Sequence, residues 1–300
     1  MSARRGATDL AGLLLIDKPA GMTSHDVVHR VRRATGERRV GHAGTLDPSA
    51  TGVLIVLVGP YTRLERYLSG KSKSYDAVIT LGAQTDTDDA DGVVTARAPV
   101  PAALFDPVHA DSILQRFVGT SMQAPPVYSA IKVGGQTAHR VARAGGEIDL
   151  AERQISVSMA ELVAIDSEQH TWTVRFAVSK GTYIRALARD IGHEAGSAAH
   201  LSALRRTAIG AITLAETITL DDVEAATDVR ALFADPLKAL GLPVLRIDDI
   251  QARDVADGRP ITGNGIAEGK VAVAHDARLL AIYRAENGRL VAETVLGVLA

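Results

Sequence analysis

A carboxylate on a turn between glycines is the first feature of this sequence that could do chemistry. Asp47 lies in the segment Gly41–Gly52, which also contains Gly44. Glycines let the backbone turn tightly and approach a ligand closely, and Pro48 biases the backbone of Asp47 away from the helical region. The apolar run that follows, Val53–Val58, predicts a buried strand, so we expect the carboxylate at the mouth of that strand. Asp-Pro is also a common turn, and the residues alone leave a catalytic and a purely structural interpretation open.

Positive charge is concentrated in the first quarter of the chain. Residues 1–75 hold twelve Lys and Arg against six Asp and Glu, whereas the whole chain has a formal net charge of −2. The densest part is the segment 29–33, followed by Arg38 and Arg39. Such a cluster is typical of a polyanion-binding surface, and it is equally compatible with a solvated helix face.

Other catalytic patterns are absent or incomplete. Ser129 and Lys132 have the spacing of Ser-x-x-Lys hydrolases, but the partner motifs Ser-Asp-Asn and Lys-Thr-Gly are missing. No P-loop pattern occurs. The acidic segment Asp86–Gly92 lacks the acid that closes a calcium loop, and we interpret it as a solvated turn. The chain has no cysteine, which excludes disulfides, thiolate metal sites and a cysteine nucleophile.

Strand and helix patterns alternate around these residues. Apolar runs and two-residue periodicity predict strands at Leu13–Ile16, Tyr75–Leu81 and Trp172–Val178. A capping-box pattern begins a helix at Thr23, and apolar residues at helical spacing predict another over 184–195. The composition, with 46% hydrophobic and 23% charged residues, is that of an ordinary globular chain. Clustered strands together with helices predict an α+β fold.

A domain boundary is expected near residues 240–248, where Gly241 and Pro243 precede a change of pattern. Beyond it, short strand-like pieces at Lys270–Ala274 and Arg278–Tyr283 predict a small all-β module. A module of this size usually needs support from a neighbour, so we expect it to pack on the main body. We therefore divide the chain at residues 243 and 244.

Six blocks of the sequence resemble, in order, TruB-type pseudouridine synthases, the bacterial tRNA pseudouridine-55 synthases. Besides the Asp47 segment they are residues 15–24, 71–75, 124–132, 179–185 and 200–206, and they cover most of residues 13–210. The resemblance implies a pseudouridine synthase fold, with a mixed, mainly antiparallel central sheet and flanking helices. It implies a catalytic domain with an RNA-binding insert over residues 1–243 and a small C-terminal β-rich, PUA-like RNA-binding domain over residues 244–300.

The activity implied by the resemblance is isomerisation of the T-loop uridine of tRNA, position 55, to pseudouridine, with no metal or organic cofactor. Asp47 is then the catalytic carboxylate, and Tyr75 stacks on the uracil and helps to remove the C5 proton. Arg185 pairs with the carboxylate and keeps it ionised. Attack at C6, attack at C1′ and removal of a sugar proton all remain open as the first step.

A T-loop uridine must be extruded before a carboxylate can reach its glycosidic bond, at a cost of about a few kcal/mol. The resemblance implies that His42 fills the space of the flipped base, that Leu204 bounds the base pocket and that Lys18 shapes its floor. Tyr183 is also expected to contact the substrate. Basic residues are expected to hold the RNA phosphates: Arg32, Arg33, Lys71, Lys73, Arg205 and Arg206.

The expected partner is the T-stem-loop of tRNA, bound by a monomer with no obligate protein partner and no membrane contact. Residues 1–10 lack the apolar run of a signal peptide, so we expect a cytoplasmic protein. A non-catalytic tRNA-binding or tRNA-folding protein is the alternative. It would need the same basic surface without the coincidence of Asp47, Tyr75 and Arg185.

Overall fold

The computed structural model describes residues 8–129, 131–133, 136–138, 141, 150–262 and 266–297. The chain forms two compact units, which we call the terminal unit, Met1–Lys71 with Ala208–Ala300, and the middle unit, Ser72–Thr207. The predicted division at residues 243 and 244 falls inside the terminal unit. It stays a prediction about function rather than a boundary between compact units.

The helices and strands follow one another without an internal repeat. In chain order they are β1 (Gly12–Lys18), α1 (Ser24–Thr35), β2 (Val40–Ala43), β3 (Thr51–Val58), α2 (Glu65–Leu68), β4 (Lys73–Leu81), β5 (Ala83–Thr85), β6 (Val94–Arg97), α3 (Pro107–Gln115), β7 (Gly119–Gln123), β8 (Lys132–Val133), β9 (Gln136–Thr137), β10 (Arg153–Asp166), β11 (Thr171–Val178), α4 (Ile184–Glu194), β12 (Ala199–Ile209), β13 (Ile212–Thr213), α5 (Leu220–Ala225), α6 (Pro236–Leu240), β14 (Val244–Arg246), α7 (Asp249–Ala256), β15 (Ile261–Thr262), β16 (Gly269–His275), β17 (Arg278–Glu286) and β18 (Arg289–Val295). Short 3₁₀ segments lie at Gly59–Leu64, Ala102–Phe105, Leu214–Glu216 and Val229–Leu232.

Strand β3 is the centre of the N-terminal part of the terminal unit, because β1 and β2 both pair with it antiparallel. Helix α1 begins as the sequence predicts, since Thr23 and Asp26 form a reciprocal capping box. The buried face of α1, which includes Val27, packs in one apolar cluster with Leu14 of β1 and Leu54 of β3. The predicted strands and helix of this region are thus confirmed.

The C-terminal strands form a second sheet of the terminal unit, in the order β14-β16-β17-β18-β15. Ile282 of this sheet shares an apolar cluster with Leu13, Leu57 and Tyr67. Arg66 also donates to the carbonyl of Glu293 at 3.1 Å. The expected packing of the small β module against the N-terminal elements is therefore confirmed.

The middle unit is built on a sheet with the order β12-β4-β11-β10-β7. The pairs β4–β11, β11–β10 and β10–β7 are antiparallel. Trp172 of β11 is fully buried, and its indole NH donates to the carbonyl of Leu104 at 2.9 Å. Helix α4 buries an apolar face that includes Leu187 and Ile191. The predicted α+β class with a mainly antiparallel sheet is confirmed.

No helix within the described ranges is both long enough and apolar enough to cross a bilayer.

Two glycines with left-handed backbones provide a matched test of packing in the terminal unit. Gly36 (φ +67°) ends α1 with no atom within 4 Å of an added Cβ, whereas a Cβ on Gly59 (φ +64°) would lie 2.0 Å from the carbonyl oxygen of Leu10. Gly36→Ala should lower the free energy of unfolding by about 1 kcal/mol through backbone strain alone. Gly59→Ala should lower it by roughly 3 kcal/mol or more, because the backbone at Leu10, just before β1, must also move. Equal effects in denaturant unfolding would contradict this close approach.

Candidate active site

Asp47 lies on the turn that joins β2 to β3, as the sequence predicts, and its side chain is half-buried. The turn is closed by a hydrogen bond from the amide of Ala50 to the carbonyl of Asp47 at 3.1 Å. The amide of Gly21 donates to the carbonyl of Pro48 at 2.9 Å, which attaches the turn to the loop that follows β1. The backbone that carries the carboxylate is therefore fixed on both sides.

Lys18 is the strongest constraint on this turn. Its side chain is fully buried, and its ammonium donates to the carbonyls of Pro19 at 2.8 Å, Met22 at 2.7 Å and Pro48 at 3.2 Å. Three carbonyl acceptors match the three donors of an ammonium group. Lys18 thus joins the loop after β1 to the residue next to Asp47.

Ser24 is a positioning residue that the sequence reasoning missed. Its hydroxyl donates to the carbonyl of Leu46 at 3.0 Å and accepts from the amide of Leu46 at 2.8 Å, so both backbone groups of that residue are held. Leu46 directly precedes Asp47. Two features of the sequence could have indicated it: Ser24 lies in the family block 15–24, and it follows the predicted N-cap Thr23 at the start of a helix.

His42 lies on β2 with a half-buried side chain, opposite Val56 in the register of β3. It lies on the strand that leads into the turn of Asp47. Of the predicted site residues in the terminal unit, Lys18, His42 and Asp47 therefore share one framework of β1, β2 and β3.

Tyr75 lies on β4 in the middle unit and is only 7% exposed. The guanidinium of Arg206, on the neighbouring strand β12, donates a hydrogen bond to its hydroxyl. Arg206 is itself 1% exposed, so it has no surface to offer to an RNA phosphate. Burial lowers the pKa of the Arg206 guanidinium, and Tyr75 acts in the opposite direction. We therefore reassign Arg206 from the phosphate-binding set to the support of Tyr75.

Lys73 lies on β4 two residues before Tyr75 and is half-buried. Burial lowers the pKa of its ammonium to about 8, and the positive charges of Arg206 and Lys180 act in the same direction. Near neutral pH the group is still mainly charged, and it loses that charge in a range where an ordinary lysine keeps it.

Arg185 projects from the first turn of α4 and is nearly buried. It donates to the carbonyl of Thr87 at 2.9 Å and to that of Tyr128 at 3.1 Å, and it forms an ion pair with Asp89 at 3.3 Å. Carbonyl groups and a carboxylate thus orient the guanidinium. Its position is fixed by the acidic segment 86–92 as well as by its own helix.

The acidic segment Asp86–Gly92 forms a turn, as predicted, and Asp86 and Asp91 are exposed, but the segment is not solvated throughout. Asp88 is 5% exposed, has a left-handed backbone (φ +59°) and pairs with Arg189 of α4 at 3.0 Å. Burial raises the pKa of the Asp88 carboxyl, and the charges of Arg189 and Arg185 partly offset that rise. A run of acids looks solvated in sequence because its cationic partners lie about a hundred residues later in the chain.

Tyr183 precedes α4, and its backbone is held at both polar groups by the side chain of Gln123, with distances of 2.9 and 3.1 Å. Leu204 and Arg205 lie half-buried on β12. The described residues of the middle unit thus place Tyr75, Lys73, Leu204, Arg205 and Arg206 on two neighbouring strands. Ser129 is also buried, but the side chain of Lys132 lies outside the described residues.

The basic cluster on α1 is less free than its sequence indicates. Arg30 forms a bidentate pair with Glu224 at 2.7 Å and also contacts Asp221, both on α5. Arg32 is half-buried and donates to the carbonyl of Val40 at 2.8 Å. Arg33 is 76% exposed and reaches Glu224 only at 3.6 Å.

Lys71 lies apart from α1. Its ammonium donates to the carbonyl of Leu240, at the last residue of α6. Lys71 and Arg32 therefore have structural contacts within the terminal unit, and Arg33 is the more exposed of the two predicted arginines on α1. Across the described ranges, no group of three or more His, Asp or Glu side chains is arranged to hold a metal ion.

Comparison with known proteins places these residues in one family. Residues 32–184 match the TruB family pseudouridylate synthase (N terminal domain), and residues 185–244 match the tRNA pseudouridylate synthase B C-terminal domain. A protein of Thermobifida fusca named tRNA pseudouridine synthase B is 44% identical over 283 residues, which cover 92% of this chain and 95% of the relative. A protein of the same name from Corynebacterium diphtheriae is 39% identical over 283 residues, covering 93% of this chain and 94% of the relative.

Solved structures share the fold over nearly the whole chain. A chain in a crystal structure of a Cbf5-Nop10-Gar1 complex superposes with a TM-score of 0.72 at 27% identity, covering 95% of this chain and 84% of that one. A chain in an H/ACA RNP bound to a substrate RNA containing 2′-deoxyuridine gives a TM-score of 0.70 at 26% identity, with the same coverage. With matched domains over residues 32–244 and relatives that align over 94–95% of their length, this chain belongs to the TruB family of pseudouridylate synthases.

Proposed function

We propose that this protein isomerises the T-loop uridine at position 55 of tRNA to pseudouridine without a cofactor. The observation that carries the proposal is the half-buried Asp47 on a turn fixed by Lys18 and Ser24, in a chain whose relatives are named tRNA pseudouridine synthase B. Substrate and partner are the same in this proposal: the T-stem-loop of tRNA supplies both the reacting uridine and the phosphates that hold it.

The reaction breaks the bond from N1 of uracil to C1′ and forms a bond from C5 to C1′. The C5 proton leaves and N1 gains a proton, so atoms and charge balance without an oxidant or reductant. Asp47 starts the reaction as nucleophile or base, and each of the three possible first steps needs an ionised carboxylate close to the glycosidic bond. Arg185 is the proposed cationic partner of that carboxylate.

Tyr75 is proposed to stack on the uracil and to take part in removing the C5 proton. The buried guanidinium of Arg206 donates to the phenol oxygen and so holds the ring of Tyr75 in position. Leu204 bounds the base pocket in this assignment, and His42 fills the space that the uridine vacates. Tyr183 is proposed as a further substrate contact.

RNA binding has to supply the free energy that extrudes the uridine, about a few kcal/mol. We assign the phosphate contacts to Arg33, Lys73 and Arg205, which are exposed or half-buried. Lys71 and Arg32 instead support the fold, because their cations already donate to backbone carbonyls. Each phosphate contact should add about one unit to the salt dependence of binding.

We further propose that a single chain suffices, without an obligate protein partner, and that the enzyme works in the cytoplasm. Residues 1–243 are the proposed catalytic part and residues 244–300 a PUA-like part that contacts RNA. Relatives named tRNA pseudouridine synthase B support the tRNA substrate.

Release of tritium from C5-labelled uridine in a T-stem-loop, with the purified chain and no added cofactor, tests the whole proposal. RNA binding without tritium release would favour the non-catalytic alternative.

Asp47→Asn should abolish turnover and leave tRNA affinity within about twofold, because the amide keeps the shape and loses the charge. Tritium release measures the first effect and filter binding the second. Ser49→Ala, at an exposed position of the same turn, is the matched control and should keep normal activity. Wild-type turnover in the Asp47→Asn variant would remove Asp47 from the mechanism.

If burial decides their roles, Arg206→Gln should change turnover and Arg33→Gln should change tRNA binding. The buried variant should lower kcat by at least about tenfold and leave the salt dependence of tRNA binding unchanged, because it acts through Tyr75. The exposed variant should reduce the salt slope by about one unit and leave kcat at saturating tRNA unchanged. A reduced salt slope in Arg206→Gln would return that residue to the phosphate-binding set.

Lys73 predicts a pH dependence of binding. Its pKa of about 8 means that about one molecule in ten still carries the charge at pH 9, whereas most carry it at pH 7. If the charged form binds phosphate, tRNA affinity should fall by about tenfold between these pH values. Lys73→Arg should remove most of this fall, since a guanidinium stays charged. An equal fall in the two proteins would assign the pH dependence to another group.

A further inference from the structure

A cavity in the terminal unit combines charge and aromatic surface, and it is lined by none of the residues assigned to isomerisation. It has a volume of about 550 Å³ and is lined by Arg39, Arg230, Arg278, Tyr61, Phe233 and Asp9, among others. A volume of this size is in the usual range for a small-molecule site. None of the residues that line it was assigned individually above to catalysis or to substrate contact, and Arg278 lies in the part of the chain proposed to contact RNA.

Three arginines around one cavity indicate an anionic ligand. Arg39 is 48% and Arg230 60% exposed in their side chains, so both guanidinium groups remain accessible to solvent. Asp9 is the one acidic side chain among the described lining residues, although Asp228 contacts Arg230 from outside the cavity at 3.7 Å. Planar guanidinium groups match the oxygen geometry of phosphate through paired hydrogen bonds.

A buried carboxylate fixes one wall of the cavity. Glu37 is 0% exposed and accepts from the amide and the hydroxyl of Thr8 at 2.7 and 2.8 Å. It also accepts from the amide of Arg39 at 2.8 Å and from its Nε at 3.3 Å. Burial alone would raise the pKa of this carboxyl, but the donors from Arg39 and Thr8 lower it below its ordinary value. The backbone of Arg39 and the Nε of its guanidinium are therefore held by Glu37.

Two aromatic residues supply the other part of the surface. The ring of Phe233 lies directly against the backbone of Gly12, because a Cβ there would be 2.3 Å from ring carbons. The ring thus packs against Gly12, and the half-buried side chain also lines the cavity. Tyr61 is largely buried, and the positive charge of Arg278 acts on its hydroxyl. An aromatic face beside guanidinium groups suits a base attached to a phosphate.

We propose that this cavity binds a phosphorylated nucleoside, with the phosphate on Arg39, Arg230 and Arg278 and the base on Phe233. The same chemistry has two sources, a free mononucleotide or one nucleotide of a bound RNA chain. The proposal goes beyond the isomerisation, since it requires neither Asp47 nor a uridine.

Calorimetric titration of the full chain with AMP, with adenosine and with a single-stranded RNA tetranucleotide tests the site. AMP should bind one to one, and adenosine should bind at least tenfold more weakly because it lacks the phosphate. The double variant Arg230→Gln, Arg278→Gln should weaken AMP binding by tenfold or more, as expected for the loss of charge-assisted hydrogen bonds. Arg289→Gln, an exposed position on the same sheet, is the matched control and should bind as the wild type does.

The arms of the experiment also separate the two sources and the two sites. Binding of the tetranucleotide but not of AMP, with the same dependence on Arg230 and Arg278, would identify RNA as the source and support the site. AMP binding that is unchanged in Asp47→Asn would support a site separate from the isomerisation. Failure of both ligands to bind, or binding that survives in the double variant, would overturn the proposal and leave the tritium-release assay unaffected.

Discussion

The buried ammonium of Lys18 is the interaction on which the placement of the proposed catalytic carboxylate depends. Transfer of a charged amine from water costs several kcal/mol unless hydrogen bonds replace its hydration. Here three carbonyls do so. Two of them, at Met22 and Pro48, belong to two different loops that are distant from each other in sequence. Because a buried cation tolerates no missing acceptor, the loop after β1 and the turn before β3 can adopt only arrangements that bring these carbonyls together. The Ser24 hydroxyl adds a second constraint at Leu46. The position of Asp47 thus follows from the hydrogen bonds that the buried groups of Lys18 and Ser24 require.

Charge burial has the same role in the middle unit, with the signs exchanged. Asp88 and Asp89 lie against Arg189 and Arg185, so α4 and the acidic segment hold each other in place. Removal of one member of such a pair leaves an uncompensated charge, which typically costs about 3–5 kcal/mol. The left-handed backbone of Asp88 adds local strain that the ion pair and the surrounding contacts must maintain. Arg185 therefore has little freedom, as expected of a group proposed to orient a reacting carboxylate.

Local signals predicted the elements well, because strands, caps and apolar faces are written in neighbouring residues. The capping box of Thr23 and Asp26, the apolar run of β3 and the alternation of β11 all appear at the predicted positions. The family resemblance was needed to single out Asp47, since Asp-Pro turns are common. Partnerships over long sequence separations could not be predicted: Asp88 with Arg189, Arg206 with Tyr75 and Arg30 with Glu224 each depend on the folded sheet and helices. For the same reason the phosphate-binding set named from sequence mixed exposed cations with buried ones.

The distinction between exposed and paired cations also explains how a chain of net charge −2 could bind a polyanion selectively. On α1, Glu224 and Asp221 neutralise Arg30, which reduces the charge available to any duplex that approaches from solution. On this helix, counterion release then depends on a cation that stays accessible, Arg33. A small number of such contacts gives weak binding to RNA of the wrong shape, whereas an RNA that fits also gains stacking and base contacts. Selectivity then requires phosphate contacts, stacking and base contacts together, because each contributes only modestly to the free energy of binding. The acidic residues of α5 contribute to selectivity by limiting the electrostatic attraction to RNA of any shape.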